Sequence, residues 1–334
     1  MSFLAKKMSA VDIRSNGGPE NLFLKKISVP KLGEYDLLIK NKAIGVNRAD
    51  CLQRKGNYPV PATSNPILGL EVAGDIVELG GKVQNFKIGD KVCALTDGGG
   101  YAEYSSVNYQ HCFYIPENFN YIQSACIPEA AFTVYDNIFE RAKLKSNETV
   151  LIHGGSSGIG SFAIQLVKAF GANVITTSGT KEKCDFCSNL GSDLSLNYNK
   201  DNWTKEIDAM TKGNGVNVIL DIVAGDYINK NISIMSHKGR HITIALQKGR
   251  YSQIDFGLVM RKQLILSGST LRPQSIDEKA LTAQKIKTFI WPLLTKNQIK
   301  PHIHSVFSLN EVIKAHTLME SGSNYGKIVL QPKL

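Results

Sequence analysis

The chain has 334 residues, 43% of them hydrophobic and 20% charged; at roughly 150 residues per domain this suits about two domains and excludes collagen-like, mucin-like and mostly disordered chains. Basic residues exceed acidic ones by 39 − 29 = +10, but they never run beyond two in a row and no recognition-helix, zinc-finger or aromatic RNA-binding signature accompanies them. The excess therefore reads as solvated surface, or as affinity for a phosphorylated small molecule, rather than as a nucleic-acid interface.

At the N-terminus, Met1-Ser2-Phe3-Leu4-Ala5-Lys6-Lys7 meets charge before an apolar run can form, so no signal peptide is expected. Six cysteines are too sparse for a disulfide scaffold, and a reducing cytoplasm is expected. The first third reads as β-rich. Short apolar runs such as Leu37-Leu38-Ile39, Ala73-Gly74-Asp75-Ile76-Val77 and Lys91-Val92-Cys93-Ala94-Leu95 are separated by Asn16-Gly17-Gly18-Pro19, Gly80-Gly81 and Gly98-Gly99-Gly100.

From about Pro128 helical and strand patterns alternate, as βαβ units require. The uncharged stretch 149–167 is broken by His153-Gly154-Gly155-Ser156-Ser157-Gly158 into a strand, a turn and a helix, so it is no membrane span. Ile159, Phe162, Ala163, Leu166, Val167 and Phe170 form one apolar helical stripe, which Gly171 closes. Strands are expected at Val174-Ile175-Thr176, Val216-Asn217-Val218-Ile219-Leu220, His241-Ile242-Thr243-Ile244-Ala245 and Leu264-Ile265-Leu266. After about residue 270 come a helix or two and a last strand, Lys327-Ile328-Val329-Leu330.

The strongest local signal is the run Thr149 to Gly160. A buried strand enters a glycine turn and then an amphipathic helix, so Gly155, Ser156, Ser157, Gly158, Ile159 and Gly160 can offer bare main-chain N–H groups to a pyrophosphate. An NAD site places an acid about 20 residues on, at the end of the second strand. Here that stretch is Thr176-Thr177-Ser178-Gly179-Thr180-Lys181. Hydroxyls and a cation suit a 2′-phosphate, with Ser178 and Lys181 gripping it, so NADPH is favoured over NADH.

Neighbouring chemistries fail on their residues. Short-chain dehydrogenases need Tyr-x-x-x-Lys, and none of the twelve tyrosines has a lysine four residues on. No kinase-type P-loop occurs, since Gly81-Lys82 and Gly326-Lys327 are followed by Val83 and Ile328. Cys184-x-x-Cys187 has no second pair and reads as part of a surface helix, and His302-x-His304 lacks a third ligand.

The whole chain resembles the medium-chain dehydrogenase/reductase superfamily, in its zinc-free quinone oxidoreductase (zeta-crystallin-like) branch. The residues that carry this include Gly18-Pro19-Glu20, Gly45-Val46-Asn47-Arg48-Ala49-Asp50, Gly56-Asn57-Tyr58, Leu68-Gly69-Leu70-Glu71-Val72-Ala73-Gly74, Gly89-Asp90-Lys91-Val92 and Gly98-Gly99-Gly100-Tyr101-Ala102-Glu103-Tyr104. They continue in Ile127-Pro128-Glu129-Ala130 and Asn324-Tyr325-Gly326-Lys327-Ile328-Val329. The segments Asn47-Arg48-Ala49-Asp50 and Ile127-Pro128-Glu129-Ala130 are most similar to the tumour-suppressor-inducible quinone oxidoreductases.

The resemblance implies an α/β fold. A β-rich GroES-like catalytic domain would span 1–127 and 270–334, and a Rossmann NADPH-binding domain with a parallel sheet 128–269. It also implies that catalytic zinc is absent, because the thiolate and imidazole positions of zinc alcohol dehydrogenases carry Asn47 and Leu70, and only Cys93 lies where a structural zinc lobe would be. Alcohol oxidation is then disfavoured, and reduction of an electrophilic acceptor such as a quinone or activated enone is expected.

Asn47 is implied at the nicotinamide ribose or the substrate, Thr133 at the carboxamide, and Tyr58 stacking on the acceptor; Asn47 and Tyr58 are read as positioning groups, with proton supply left to water. Tyr198 is implied near the adenine, Ala245, Leu246, Ser269 and Leu271 along the pyrophosphate and nicotinamide ribose, and Asn324 closing the site. A homodimer through the edge strand Leu264-Ile265-Leu266-Ser267 is implied as well. Two other readings stay open: an enone or enoyl-thioester reductase, and a nucleic-acid-binding or crystallin-like protein that keeps NADPH.

Overall fold

The computed structural model describes residues 6–332; residues 1–5, on which the expectation of no signal peptide largely rests, lie outside the described residues. The chain divides into two compact units. One comprises Met1–Phe132, Arg272–Asn297 and Pro301–Leu334, the other Thr133–Leu271 and Gln298–Lys300.

The first unit is organised by the eleven-residue strand Asp36–Val46, where Leu37, Leu38, Ile39, Ile44 and Val46 are all buried. It lies in a mixed sheet in the order Ile303–Ser308, Lys327–Gln331, Asp36–Val46, Glu71–Leu79, Lys91–Leu95, Cys112–Tyr114, and Tyr104–Asn108 also pairs with it. Val72, Ile76, Val92, Ala94, Tyr101, Ile328 and Leu330 fill the core against it. A separate antiparallel pair, Lys7–Ile13 with Leu22–Ser28, packs Met8 and Ala10 against Ala102.

Register decides what gathers at one end of the central strand. Ile328 pairs with Val46 and Val72 with Ile44. Antiparallel pairing then sets Lys327 beside Asn47, while Glu71 comes alongside Gly45 from the other neighbour. A Cβ on Gly45 would lie 2.1 Å from Glu71 Oε1 and 2.6 Å from the Ala125 carbonyl, so this glycine makes room for a carboxylate.

In the second unit six strands pair only in parallel, in the order Leu194–Asn197, Asn173–Ser178, Thr149–His153, Val216–Asp221, Met235–Thr243, Ile265–Gly268. Numbered along the chain this is 3-2-1-4-5-6, the doubly wound dinucleotide-binding order, whose ligand crevice lies at the carboxyl ends of strands 1 and 4. The expected Rossmann sheet is present. Buried on both faces, Val150, Leu151, Ile152, Val218, Ile219 and Leu220 read as unbroken apolar runs for that reason. The helix Gly158–Ala169 buries Phe162, Ala163, Leu166 and Val167, the expected stripe, and Gly171 follows at φ +85°. Among the described residues no helix is long and apolar enough to cross a membrane.

Candidate active site

After the strand Thr149–His153 the chain turns at Gly154, with φ +69°, into the helix Gly158–Ala169. Ser157 caps that helix, its Oγ accepting from the Gly160 N–H at 3.0 Å. Gly158 and Ile159 are its first residues, so their N–H groups have no preceding turn to bond and face outward, at the positive end of the helix dipole. At two of its glycines no side chain could be added. A Cβ on Gly160 would be 2.4 Å from the Gly154 carbonyl oxygen, and one on Gly155 would be 2.6 Å from Thr176 Cβ. The residues present fit a pyrophosphate.

Beneath the turn, buried polar groups brace the strand ends. Asp221 accepts from the Val223 N–H at 2.6 Å and from His241 Nε2 at 3.1 Å, while His153 contacts Thr177 Oγ1 and Asn231 Oδ1, each at 2.8 Å. Hydrogen bonds from His241 and the backbone hold the Asp221 carboxyl below its ordinary range despite burial.

At the end of the strand Asn173–Ser178, Ser178 is 2% exposed and its hydroxyl faces Cys187 Sγ at 3.5 Å, away from solvent. Gly179 packs under Tyr198, whose hydroxyl would be 2.6 Å from a Cβ there. Lys181 opens the helix Lys181–Asn189 with its side chain 78% exposed, bonded at 2.7 Å to Asp185 one turn on. Of the two groups read as phosphate ligands, Lys181 is presented and Ser178 is turned inward. Cys184 and Cys187 lie in this helix as expected, but on its buried face.

Ala245 and Leu246 follow the strand Met235–Thr243, and Ser269 and Leu271 follow Ile265–Gly268. Ser269 Oγ donates to Asn137 Oδ1 at 2.7 Å, and Asn137 Nδ2 donates to the Thr133 carbonyl at 2.8 Å, so Ser269 and Thr133 are tied through one amide. In the first unit the Asn324 side chain folds toward the Gly326 carbonyl at 3.5 Å.

The first unit also holds a charge cluster that sequence reasoning did not foresee. Lys327 Nζ donates to Asn47 Oδ1 at 2.7 Å and to Glu71 Oε1; Asn47 Nδ2 donates to Glu71 Oε1 at 2.9 Å; the Glu129 N–H donates to Glu71 Oε2 at 3.0 Å. Glu71 is fully buried, and Lys327 and Asn47 are 3% and 8% exposed. The lysine thereby fixes which way the Asn47 amide faces: oxygen to the ammonium, nitrogen to the carboxylate. One amide hydrogen of Asn47 is left over among the described residues.

Nearby, Asp50 accepts from the Asn47 N–H, the Gly69 N–H and the Tyr101 hydroxyl at 2.8, 3.0 and 3.2 Å, yet burial still raises its carboxyl to about 6. Burial, with Glu129 next in importance, pushes the Tyr58 phenol far above its ordinary value. Arg272, 4% exposed, is held by Gln53 Oε1 at 2.6 Å and by the carbonyls of Asn65 and Asp97, and Lys279 binds Asp97 in turn. Arg272 thus bonds polar groups of its own unit. The sequence carries only a partial signal: Glu71 and Lys327 adjoin apolar strand residues, where a charge needs a partner, but nothing in the chain says which partner each finds.

A zinc ion does not suit these positions. Asn47 offers an amide already bonded to an ammonium, and Leu70, 3% exposed, offers only hydrocarbon.

Comparison with known proteins agrees. Residues 33–117 match the alcohol dehydrogenase GroES-like domain family, and residues 158–285 the family described as zinc-binding dehydrogenase. The quinone oxidoreductase of Homo sapiens is 32% identical over 332 residues, 97% of this chain and 98% of the relative. Quinone oxidoreductase 1 of Escherichia coli (strain K12) is 26% identical, over 96% of this chain and 99% of its own. The crystal structure of Escherichia coli quinone oxidoreductase complexed with NADPH superimposes with a TM-score of 0.88 at 25% identity, over 97% of this chain and 100% of that one. The β-rich unit with its Asn47–Glu71–Lys327 cluster, the glycine turn and near-full-length likeness together place the chain in the zinc-free quinone oxidoreductase family of the medium-chain dehydrogenases/reductases.

Proposed function

We propose that this chain is an NADPH-dependent quinone oxidoreductase that reduces a quinone-type acceptor without a metal ion. The observation that carries the reading is the turn at 154–160, whose Gly155 and Gly160 have no room for a side chain, with Lys181 exposed at the head of the next helix and no acid at 176–181. NADPH, when bound there, supplies the hydride. Gly155, Ser156, Ser157, Gly158, Ile159 and Gly160 hold its pyrophosphate, and Gly179, Lys181 and Tyr198 its adenosine end. Thr133, Ala245, Leu246, Ser269, Leu271 and Asn324 belong to the nicotinamide half. Asn47 and Tyr58 orient the acceptor, by an amide N–H and a ring face respectively. Six unpaired, buried cysteines suit a reducing cytoplasm.

A steady-state panel of 1,2- and 1,4-quinones, enones and enoyl thioesters tests the assignment. Quinones are expected to turn over fastest, and preference for enoyl thioesters would replace the reading. Lys181→Ala removes a charge-assisted contact of about 1.5–3 kcal/mol, so NADPH affinity should fall roughly 10- to 100-fold while NADH affinity stays put. Fluorescence titration reads both constants. Equal NADPH affinity in the variant would overturn the cofactor assignment.

We also propose a homodimer through the strand Ile265–Gly268, which ends its sheet with Ile265 57% exposed; Phe256 and Met260, in the sequence just before it, are exposed as well. An apolar strand edge invites pairing with its copy. Sedimentation equilibrium should give twice the chain mass for the wild type and the single mass for Ile265→Lys; a wild-type monomer would rule it out.

A further inference from the structure

We propose that Glu129 is the proton donor of the reaction, delivering its carboxyl hydrogen to the acceptor oxygen that becomes negative when hydride arrives. The inference rests on the quinone reading above and extends it to a group that resemblance leaves unassigned.

Three carboxyls, Asp50, Glu71 and Glu129, share one densely packed region of the first unit, and each is placed differently. Glu71 is bonded to the Lys327 ammonium and the Asn47 amide. Asp50 accepts from two main-chain N–H groups and a phenol. In both, hydrogen bonds support the anionic form. Glu129 differs: among the described residues no donor bonds its carboxyl, while its own N–H is spent on Glu71 Oε2 at 3.0 Å. Two further negative charges therefore stand close to a carboxyl with no hydrogen bond to support ionisation. The side chain is partly rather than fully buried, so a bound molecule can reach it.

The charged and titratable groups that face Glu129 come from every element around it. Glu71 lies on the strand Glu71–Leu79, Asp50 on the helix Arg48–Arg54, Lys327 on the strand Lys327–Gln331 and Lys279 on the helix Ile276–Phe289, with Tyr58 and Arg272 on loops. Burial first and Glu71 second raise its carboxyl to about 8, against the pull of Lys327. At neutral pH it is an acid with a hydrogen to give, poised near the working pH as efficient transfer requires. Through Glu71 it is joined to Asn47, whose remaining amide hydrogen can hold the same oxygen.

The step balances. Hydride carries two electrons to the quinone, one carbonyl oxygen is left as an anion, the Glu129 O–H bond breaks as the hydroquinone O–H forms, and the Glu129 carboxylate then recovers a proton from water.

Glu129→Gln keeps the shape and the neutral state of the acid but has no proton to give. Wild-type kcat with a quinone should fall as pH rises through about 8, and the variant should be slower below that pH, on the order of 10²-fold, with a flat profile over this range. NADPH affinity should be unchanged. In infrared spectra at neutral pH, most of the protonated-carboxyl band of the wild type should be lost in the variant, leaving the small protonated fraction of Asp50. If the wild type ignores quinones but reduces an enone, the quinone reading fails and the same comparison is made with the enone. The proposal is overturned if Glu129→Gln keeps the wild-type rate and its alkaline limb, or if the infrared band keeps its wild-type intensity after the substitution.

Discussion

Lys327→Met is expected to remove about 3–5 kcal/mol from the stability of the first unit, because it leaves the Glu71 carboxylate buried without its cation. The wild-type lysine is held protonated: burial opposes the charge, but Glu71 beside it outweighs that and its affinity for a proton rises. In the variant the carboxylate has no counter-charge, so Glu71 takes up a proton that the unfolded chain would not hold. The folded state then binds more protons than the unfolded one at pH values above the ordinary glutamate range. Stability consequently declines as pH rises, and the deficit relative to wild type is largest at alkaline pH and shrinks on acidification. Replacing both partners tells the pair apart from the site it occupies. Lys327→Met with Glu71→Leu should recover much of the loss, since two apolar groups need no partner. The chain has two tryptophans, Trp203 in the second unit and Trp291 in the first, where it stacks on Phe113 at 4.3 Å. In a Trp203→Phe background, urea unfolding followed by fluorescence therefore reports the unit concerned. An unshifted midpoint for Lys327→Met would mean that the pair contributes nothing.

The same residues show what was legible in the chain and what was not. Five of the six strands of the second unit could be read because their signals are local: an apolar run for each, a 3.6-residue stripe for Gly158–Ala169, glycines where a backbone must close up. The edge strand Leu194–Asn197, a Leu-Ser-Leu-Asn segment, offers no such run and went unread. The cluster at Asn47 could not be read. Its members come from positions 47, 71, 129 and 327, and what brings them together is the pairing register of three neighbouring strands together with the start of the helix Pro128–Val134. Pattern gives the identity of a strand but not its neighbours. Ser178 illustrates a finer limit. Its position at the strand end was legible, but side chains alternate across a strand, and the turn that follows decided that its hydroxyl faces Cys187 rather than solvent. Resemblance pointed to Asn47, while only the geometry shows that its amide is oriented by a lysine.

Gly160→Ala is expected to weaken NADPH binding at least about 100-fold, equivalent to about 2.7 kcal/mol. The new Cβ would lie 2.4 Å from the Gly154 carbonyl oxygen and 2.7 Å from Gly155 Cα, and both neighbours are backbone with no rotamer to yield. Relief requires the helix start to move off the turn, which breaks the 3.0 Å Ser157 cap and carries the N–H groups of Gly158 and Ile159 away from the place where a pyrophosphate would meet them. Both consequences act on one ligand, so binding suffers more than the loss of a single hydrogen bond would predict. Gly81→Ala is the matched control: a Cβ there meets nothing within 4 Å and the backbone is not left-handed, so stability should stay within about 0.5 kcal/mol and NADPH affinity should not change. The Trp291 transition, which reports the first unit, should not move in the Gly160 variant, separating a local failure of the phosphate turn from general unfolding. Wild-type NADPH affinity in Gly160→Ala would show that the coenzyme is not held at this turn, and the lysine at 181 would then have no phosphate to meet.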